Sequence, residues 1–100
     1  MKNKKKILEK LQNILWSYDA SSLDTNKDRI YIITQVLNYG TWEDLKLLYK
    51  IYSDKDIKRV VKNPQKGLWF EKVLNFWCTL FNVKIKKELQ QKAILNIKPK

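Results

Sequence analysis

Hydrophobic residues recur along most of the chain at the three- and four-residue spacing that is typical of amphipathic helices. Ile7, Leu11 and Leu15 follow one another every fourth residue, and residues 68–81 are apolar nearly all round, as in a helix buried on several sides. Residues 29–34 are rich in β-branched side chains, but no partner strand is evident elsewhere, so they are also predicted to be helical. The pattern predicts an all-α protein, a single domain of five or six helices. The predicted helices cover residues 5–16, 26–38, 42–51, 54–62, 68–81 and 85–97.

Two helix-start signals lie twelve residues apart in the middle of the chain. Thr41 and Ser53 are each followed three positions later by an aspartate, Asp44 and Asp56, which is the spacing of a capping box. Gly40 lies directly before Thr41, where a glycine commonly ends a helix in the left-handed (αL) conformation. The sequence therefore predicts that one helix ends at Gly40 and the next is capped by Thr41, with no linker between them.

Weaker signals mark the other helix ends. Asp24 or Thr25 is the expected N-cap of the second helix, and Asn82 is the expected C-cap of the fifth. Residues 63–67 hold a proline and a glycine and form the clearest break in the chain. Lysines at a helix N-terminus oppose the helix dipole, so residues 1–4 are expected to fray.

The fifth predicted helix is expected to be the central post of the core. Phe76 and Trp77 should be among the least exposed side chains, and Trp69 and Trp77 lie eight positions apart on this helix. All four tryptophans are predicted to belong to the core, with base stacking as the alternative for an exposed one.

Length and composition fit one domain that spans residues 1–100, with an ordered core at about 7–97 and frayed basic ends. The chain has one cysteine, so an internal disulfide is impossible. The apolar positions after the N-terminal lysines are interrupted by polar ones, which argues against a signal peptide, and no run approaches transmembrane length. We therefore expect a cytoplasmic protein that does not enter a membrane.

The formal charge of +11 is concentrated at the two ends of the chain. The first six residues carry four lysines, and residues 84–100 carry six lysines and one glutamate. Residues 7–83 hold eleven basic and nine acidic residues, a charge of only +2. The net charge therefore has two interpretations: attraction to nucleic acid, or solubility combined with a lysine-rich composition.

The chemistry of common enzymes is missing from the sequence. There is no histidine, the two glycines are too few for a phosphate-binding loop, and Cys78 lies within the most apolar stretch, where a buried inert thiol is expected. Glu43 and Asp44 are neighbours, but neighbouring residues of a helix point apart and do not form an acid–base pair. We expect a protein that is not an enzyme and needs no cofactor or metal.

The two central helices resemble a helix-turn-helix, in which the second helix reads DNA. Ile57, Val60 and Val61 would hold that second helix to the core, on the side opposite its basic residues. The predicted nucleic-acid-binding residues are Lys55, Lys58, Arg59 and Lys62.

Three residues favour the alternative, an ordinary structural corner with a solvated basic face. Asp54 and Asp56 would repel phosphates near the end that should contact DNA. Tyr52 stands where a glycine often allows the tight turn. The sequence leaves both interpretations open.

The chain also resembles a family of small uncharacterised all-helical bacterial proteins that share a Gly-x-Trp-Glu-Asp motif. The resemblance covers residues 15–81, and the chain departs from it at Gln35, where arginine is expected, and in its basic C-terminal helix. Members are often encoded beside a nucleotidyltransferase-like toxin, which implies an antitoxin or regulatory role. The matching residues are Leu15, Trp16, Asp19, Ile32, Ile33, Val36, Leu37, Gly40, Trp42, Glu43, Asp44, Phe76 and Trp77.

Two functional hypotheses follow. The first is a small DNA-binding regulator of helix-turn-helix type, which the resemblance implies is the antitoxin partner of such a toxin. The second is a protein-interaction adaptor, an antitoxin that binds its toxin without contacting nucleic acid. The sequence does not set the oligomeric state.

Overall fold

A computed structural model describes the backbone of residues 2–95 and the side chains of residues 4–95. Within that range the chain forms six α-helices, one 3₁₀ turn at Ala20–Ser22 and no β-strand longer than an isolated bridge. The prediction of an all-α single domain is confirmed. The helices are α1 (Lys2–Lys10), α2 (Arg29–Tyr39), α3 (Trp42–Ile51), α4 (Asp54–Lys62), α5 (Glu71–Leu80) and α6 (Lys87–Ala93).

The first helix lies further towards the N-terminus than predicted. The backbone is helical from Lys2 rather than from residue 5, and Met1 lies outside the described residues. The expected fraying of residues 1–4 stays a prediction. The helix ends at Lys10 because Gln12 holds the next segment in a loop: its side chain donates to the Tyr18 carbonyl (2.9 Å) and accepts from the Ala20 N–H (2.7 Å).

The second helix begins at Arg29, three residues later than predicted, and its N-cap is Asp28 rather than Asp24 or Thr25. The Asp24 carboxylate accepts hydrogen bonds from the backbone N–H groups of Asn26 and Lys27, at 2.7 and 2.9 Å. These bonds hold a separate turn before the helix, so the carboxylate is not available to cap α2.

The corner between α2 and α3 is built differently from the prediction at Gly40. Gly40 is extended (φ −78°, ψ 159°), so the αL assignment is wrong. A Cβ at this position would lie 2.6 Å from the Val36 carbonyl oxygen, which means that close approach requires the glycine. The predicted cap is confirmed: the Asp44 N–H donates to Thr41 Oγ1 (3.2 Å), and the Thr41 N–H donates to Asp44 Oδ2 (2.8 Å).

The corner between α3 and α4 repeats this capping box. The Asp56 N–H donates to Ser53 Oγ (3.2 Å), and the Ser53 N–H donates to Asp56 Oδ2 (3.1 Å). Tyr52 is extended (φ −122°), so the turn needs no glycine. The buried Tyr52 ring places its hydroxyl 2.6 Å from the Thr25 carbonyl, which ties this corner to the turn that precedes α2.

Helix α2, rather than α5, is the centre of the core. It packs against both α3 and α4, and it buries Ile32, Ile33, Val36 and Leu37. Helix α5 packs on α4 and buries only two side chains of its own. Its pattern predicted a central helix buried on several sides, but one side of α5 faces solvent.

The two aromatic residues predicted to be buried in α5 have opposite environments. Trp77 is 6% exposed, which confirms the prediction, whereas Phe76 is 56% exposed and the prediction for it is wrong. Trp69 is fully buried but precedes α5, so Trp69 and Trp77 do not share a helix.

The C-terminal part of the described chain is clasped to the segment before α5. Trp69 and Ile94 form a parallel bridge in which the Trp69 N–H donates to the Ala93 carbonyl (2.9 Å) and the Leu95 N–H donates to the Trp69 carbonyl (2.6 Å). The predicted helix 85–97 is therefore too long, because the chain leaves the helical conformation to form the bridge. Residues 96 and 97 of that prediction lie outside the described residues.

The predicted C-cap of α5, Asn82, is off by one residue, because the C-cap is Phe81. Asn82 adopts a left-handed conformation (φ 56°), and its N–H donates to the Thr79 carbonyl (3.2 Å). The N–H of Val83 donates to the Cys78 carbonyl (2.8 Å), which completes a Schellman motif. Asn82 thus ends the helix one position after its C-cap, Phe81.

Candidate functional site

The four predicted basic residues lie together on the outer face of α4. All four are exposed and line one shallow depression of about 300 Å³, while the opposite face buries Ile57, Val60 and Val61. The spacing of three and four residues produces this division, because such positions share one side of a helix. We call the set the α4 basic face; it consists of Lys55, Lys58, Arg59 and Lys62.

The basic side chains of the α4 basic face form no ion pairs with other described residues. Among the described side chains the one ion pair joins Lys46 and Glu43, whose Nζ and Oε2 atoms are 3.5 Å apart. It lies on α3, at the surface. The α4 basic face therefore presents its positive charge to solvent and to any anionic partner.

The two acids at the start of α4 are held by local interactions. The backbone hydrogen bond from Ser53 keeps the pKa of Asp56 below its ordinary value, so its carboxylate stays charged and committed to the capping box. Asp54 lies beside the Tyr49 hydroxyl. Burial first, and the nearby Asp54 second, raise the pKa of Tyr49 to about 12. Acids at a helix N-terminus complement the dipole, so both have a structural role there.

Sequence reasoning missed Arg29, which the structure brings to the edge of this surface. Arg29 is the first residue of α2 and lines a cavity of about 200 Å³ together with Arg59 and Asp56. These are the two arginines of the sequence, thirty positions apart. No local signal could have paired them, because their proximity depends on how α2 packs against α4.

A second surface, apolar in character, was also missed. A groove of about 360 Å³ lies between the end of α2, the start of α3 and α5. Trp42 (70% exposed) and Phe76 (56% exposed) flank it, and Lys72 is its one charged lining residue. We call it the aromatic groove; its apolar lining is Val36, Leu37, Trp42, Leu45, Val73, Phe76 and Trp77.

The tryptophans divide evenly between core and surface. Trp69 and Trp77 are buried as predicted, but Trp16 is 57% exposed and Trp42 is more exposed still, so the prediction of four core tryptophans is wrong for half of them. Trp16 packs edge-on against Tyr39, with ring centroids 4.7 Å apart, close to the corner that borders the aromatic groove.

Nothing in the described part of the chain assembles a recognisable catalytic centre, and the absence of enzymatic activity stays a prediction. Burial raises the pKa of the half-buried Cys78 thiol, which disfavours the reactive thiolate. No three side chains of His, Cys, Asp or Glu come together among the described residues in the way that a metal site requires. Similarly, none of the helices in residues 2–95 has the length and apolar character needed to cross a bilayer.

Comparison with known protein families places this fold in one of them. Residues 11–61 match a family of unknown function, and the match extends from the residue after α1 to the penultimate residue of α4. It includes Arg29 and all of the α4 basic face except Lys62. Neither the curated proteins nor the solved structures contain a match to this chain. The chain belongs to the family of unknown function DUF6922.

Proposed function

We propose that the protein is a non-enzymatic DNA-binding regulator that places the α4 basic face against the DNA backbone and groove. The observation that carries this proposal is the division of α4 into a buried apolar side and an exposed cationic side. A recognition helix needs both, because one side fixes the helix to its domain and the other contacts DNA.

The packing around α4 supports the proposal. Helix α2 contacts both α3 and α4, the arrangement expected when a first helix supports a helix-turn-helix pair. The corner of the pair is fixed by the Ser53–Asp56 capping box and by the Tyr52 hydroxyl. A rigid corner holds α4 at a defined angle, which a sequence-reading helix requires.

The resemblance to proteins encoded beside a nucleotidyltransferase-like toxin extends this proposal. On that basis the regulator is an antitoxin that acts in the cytoplasm and binds both DNA and its cognate toxin. The α4 basic face and the aromatic groove lie on different helices, so the two partners would use different surfaces.

The test is the salt dependence of binding to duplex DNA, first to a random-sequence pool and then to sequences enriched from it. Four substitutions to glutamine, at Lys55, Lys58, Arg59 and Lys62, should flatten the log–log slope by about 0.9 for each side chain that contacts a phosphate. They should also remove preference for the enriched sequences.

The matched control neutralises four exposed lysines of the C-terminal region, Lys84, Lys86, Lys87 and Lys92. Deleting this region is unsuitable, because Ala93 is buried and the Trp69–Ile94 bridge clasps it to the core. The control should weaken binding to all sequences and keep the preference. Equal loss of preference in both quadruple variants would contradict the proposal.

A second candidate function, a protein-interaction adaptor, is favoured by the aromatic groove. Trp42 and Phe76 expose aromatic rings beside an apolar cavity, and exposed apolar patches of this kind commonly mark protein-binding sites. The adaptor predicts that the Trp42→Ser, Phe76→Ser double variant loses binding to the neighbouring toxin in calorimetry. The quadruple glutamine variant of the α4 basic face should then bind the toxin normally. Under this hypothesis the parent protein itself does not bind DNA.

A further inference from the structure

The cavity between α2 and α4 brings together the two arginines of the sequence. Arg29 comes from the first turn of α2 and Arg59 from the last turn of α4, and the cavity that they line measures about 200 Å³. Its remaining lining consists of Ile30, Asp56, Val60 and Asn63. A chain with nineteen lysines thus places both of its arginines at one site.

Guanidinium groups suit a particular class of ligand. Each presents five N–H donors in a planar fork that matches the oxygens of a phosphate, and each keeps its charge at any physiological pH. Arg29 donates from Nη1 to Asn26 Oδ1 at 3.3 Å, and its other guanidinium donors make no hydrogen bond among the described residues. Neither arginine belongs to an ion pair within the described side chains.

Asp56 is the acidic group that faces this cavity, and its role must be separated from that of the arginines. One oxygen of its carboxylate accepts from the Ser53 N–H and from the Ser53 hydroxyl, both at 3.1 Å. These bonds hold the carboxylate at the start of α4, and it forms no ion pair with either arginine. It still faces both of them: after the Ser53 hydrogen bond, the charges of Arg59 and Arg29 also lower its pKa. Two guanidinium charges against one carboxylate leave one positive charge in surplus at the cavity.

We propose that Arg29 and Arg59 jointly bind one phosphate group in this cavity. That the phosphate belongs to the DNA backbone rests on the function proposed above; a free phosphate anion is the other source of the same chemistry. The cavity adjoins the α4 basic face, because Arg59 and Asn63 line both depressions. The pair would fix the register of α4 on the duplex, since phosphate contacts position a protein without reading sequence.

The first experiment follows the arginine Nε–Hε signals of the full chain by NMR while inorganic phosphate is added at constant ionic strength. Saturable shifts of both Arg29 and Arg59, absent with chloride, are the expected result. Shifts of the same size with chloride, or a shift confined to one arginine, would overturn the joint site.

The second experiment compares two variants near the cavity. Arg29→Lys keeps the charge but loses the fork, so it should abolish the saturable phosphate shift at Arg59. It should also weaken binding to every duplex about tenfold, the loss expected for one charge-assisted hydrogen bond. Lys27→Gln removes a nearby exposed charge that does not line the cavity, and it should leave the Arg59 shift intact. Equal behaviour of the two variants would contradict the proposal.

The two experiments separate this inference from the proposed function. Saturable phosphate binding without any binding of duplex DNA supports the anion site and rejects DNA as the source of the phosphate. Sequence-preferring DNA binding that Arg29→Lys leaves unchanged, with no phosphate shift, rejects the anion site and leaves the DNA-binding proposal standing.

Discussion

Helices α4 and α5 pack against each other, yet their solvent faces differ in chemistry. Outside its buried stripe α4 exposes lysines and an arginine, whereas α5 exposes Phe76 (56%) and Leu80 (59%). Hydrated charges are stable at a surface without any partner, while each Å² of exposed apolar surface gains about 25 cal/mol when it is covered. The two faces therefore suit different kinds of contact: long-range electrostatic attraction at α4, and close apolar packing at α5.

Substitutions at Trp77 and Phe76 test whether α5 has one buried and one exposed side, and Trp77 should give the largest loss of stability. Replacing Trp77 with alanine should lower the free energy of unfolding by about 3–5 kcal/mol, because a fully packed ring leaves a cavity. The neighbouring Phe76→Ala should change it by about 0.5 kcal/mol or less, since exposed substitutions rarely do more. Urea denaturation of both variants measures the difference, and similar losses would mean that α5 is buried all round.

Next in size is the effect of filling the corner beneath the aromatic groove. Gly40→Ala should lower stability by about 1–3 kcal/mol, because the new methyl group would lie 2.6 Å from the Val36 carbonyl oxygen and force the backbone apart. Thermal unfolding followed by circular dichroism measures this loss.

Gly67 provides the control for that prediction. It has a left-handed backbone (φ +73°) and open space where a Cβ would lie. Gly67→Asn should therefore be tolerated, since asparagine adopts this conformation readily, while Gly40→Asn should be as damaging as alanine or worse. If Gly40→Asn were also tolerated, close approach would not be the reason for the glycine.

The sequence predicts best where the determinants are local. Helices α3 and α4 have the predicted bounds because their caps, Thr41 with Asp44 and Ser53 with Asp56, act over three residues. The α4 basic face follows from helical periodicity alone. Gly40 shows the limit of a local rule: glycine was correctly read as a boundary, but a steric contact with α2, rather than positive φ, requires it.

Sequence reasoning fails where distant residues compete for the backbone. The predicted C-terminal helix ends early because the Trp69 backbone bonds to Ala93 and Leu95, more than twenty positions away. The pairing of Arg29 with Arg59 and the aromatic groove likewise exist only after α2 has packed against its neighbours. The arginine pair and the aromatic groove therefore could not be predicted from the sequence.

Removing the caps of α3 and α4 should have a smaller effect on stability and should separate the aromatic groove from the α4 basic face. Thr41→Ala and Ser53→Ala each remove one side-chain cap, and each should lower stability by about 1 kcal/mol. Thr41 borders the aromatic groove, so its loss should alter the emission of the adjacent Trp42 and leave DNA binding unchanged. Ser53 supports α4, so its loss should weaken DNA binding; the reverse assignment of these effects would contradict the separation of the two faces.

The charge of Asp56 has two opposed effects: it stabilises the start of α4, and it opposes the binding of anions at Arg29 and Arg59. Its expected effect on stability is small. Its folded-state pKa lies below the ordinary value of 3.8, chiefly because the Ser53 N–H donates to the carboxylate. A depressed pKa means that the ionised group stabilises the fold above its unfolded pKa and loses this contribution as pH falls through the folded pKa. Asp56→Asn should therefore lower stability by about 0.5 kcal/mol at pH 7, a modest amount for an exposed group.

The difference between parent and Asp56→Asn should shrink as the pH is lowered below about 4, which denaturant titrations at a series of pH values would measure. Asp54→Asn is the control, since it removes the same charge from the same helix end but no capping-box bond. For anions the sign reverses: Asp56→Asn removes the carboxylate that faces Arg29 and Arg59, so it should tighten phosphate binding while it weakens the fold. A variant that lost both stability and phosphate affinity would show that Asp56 is needed to position the two arginines. The fold of α4 and the phosphate site would then depend on the same carboxylate.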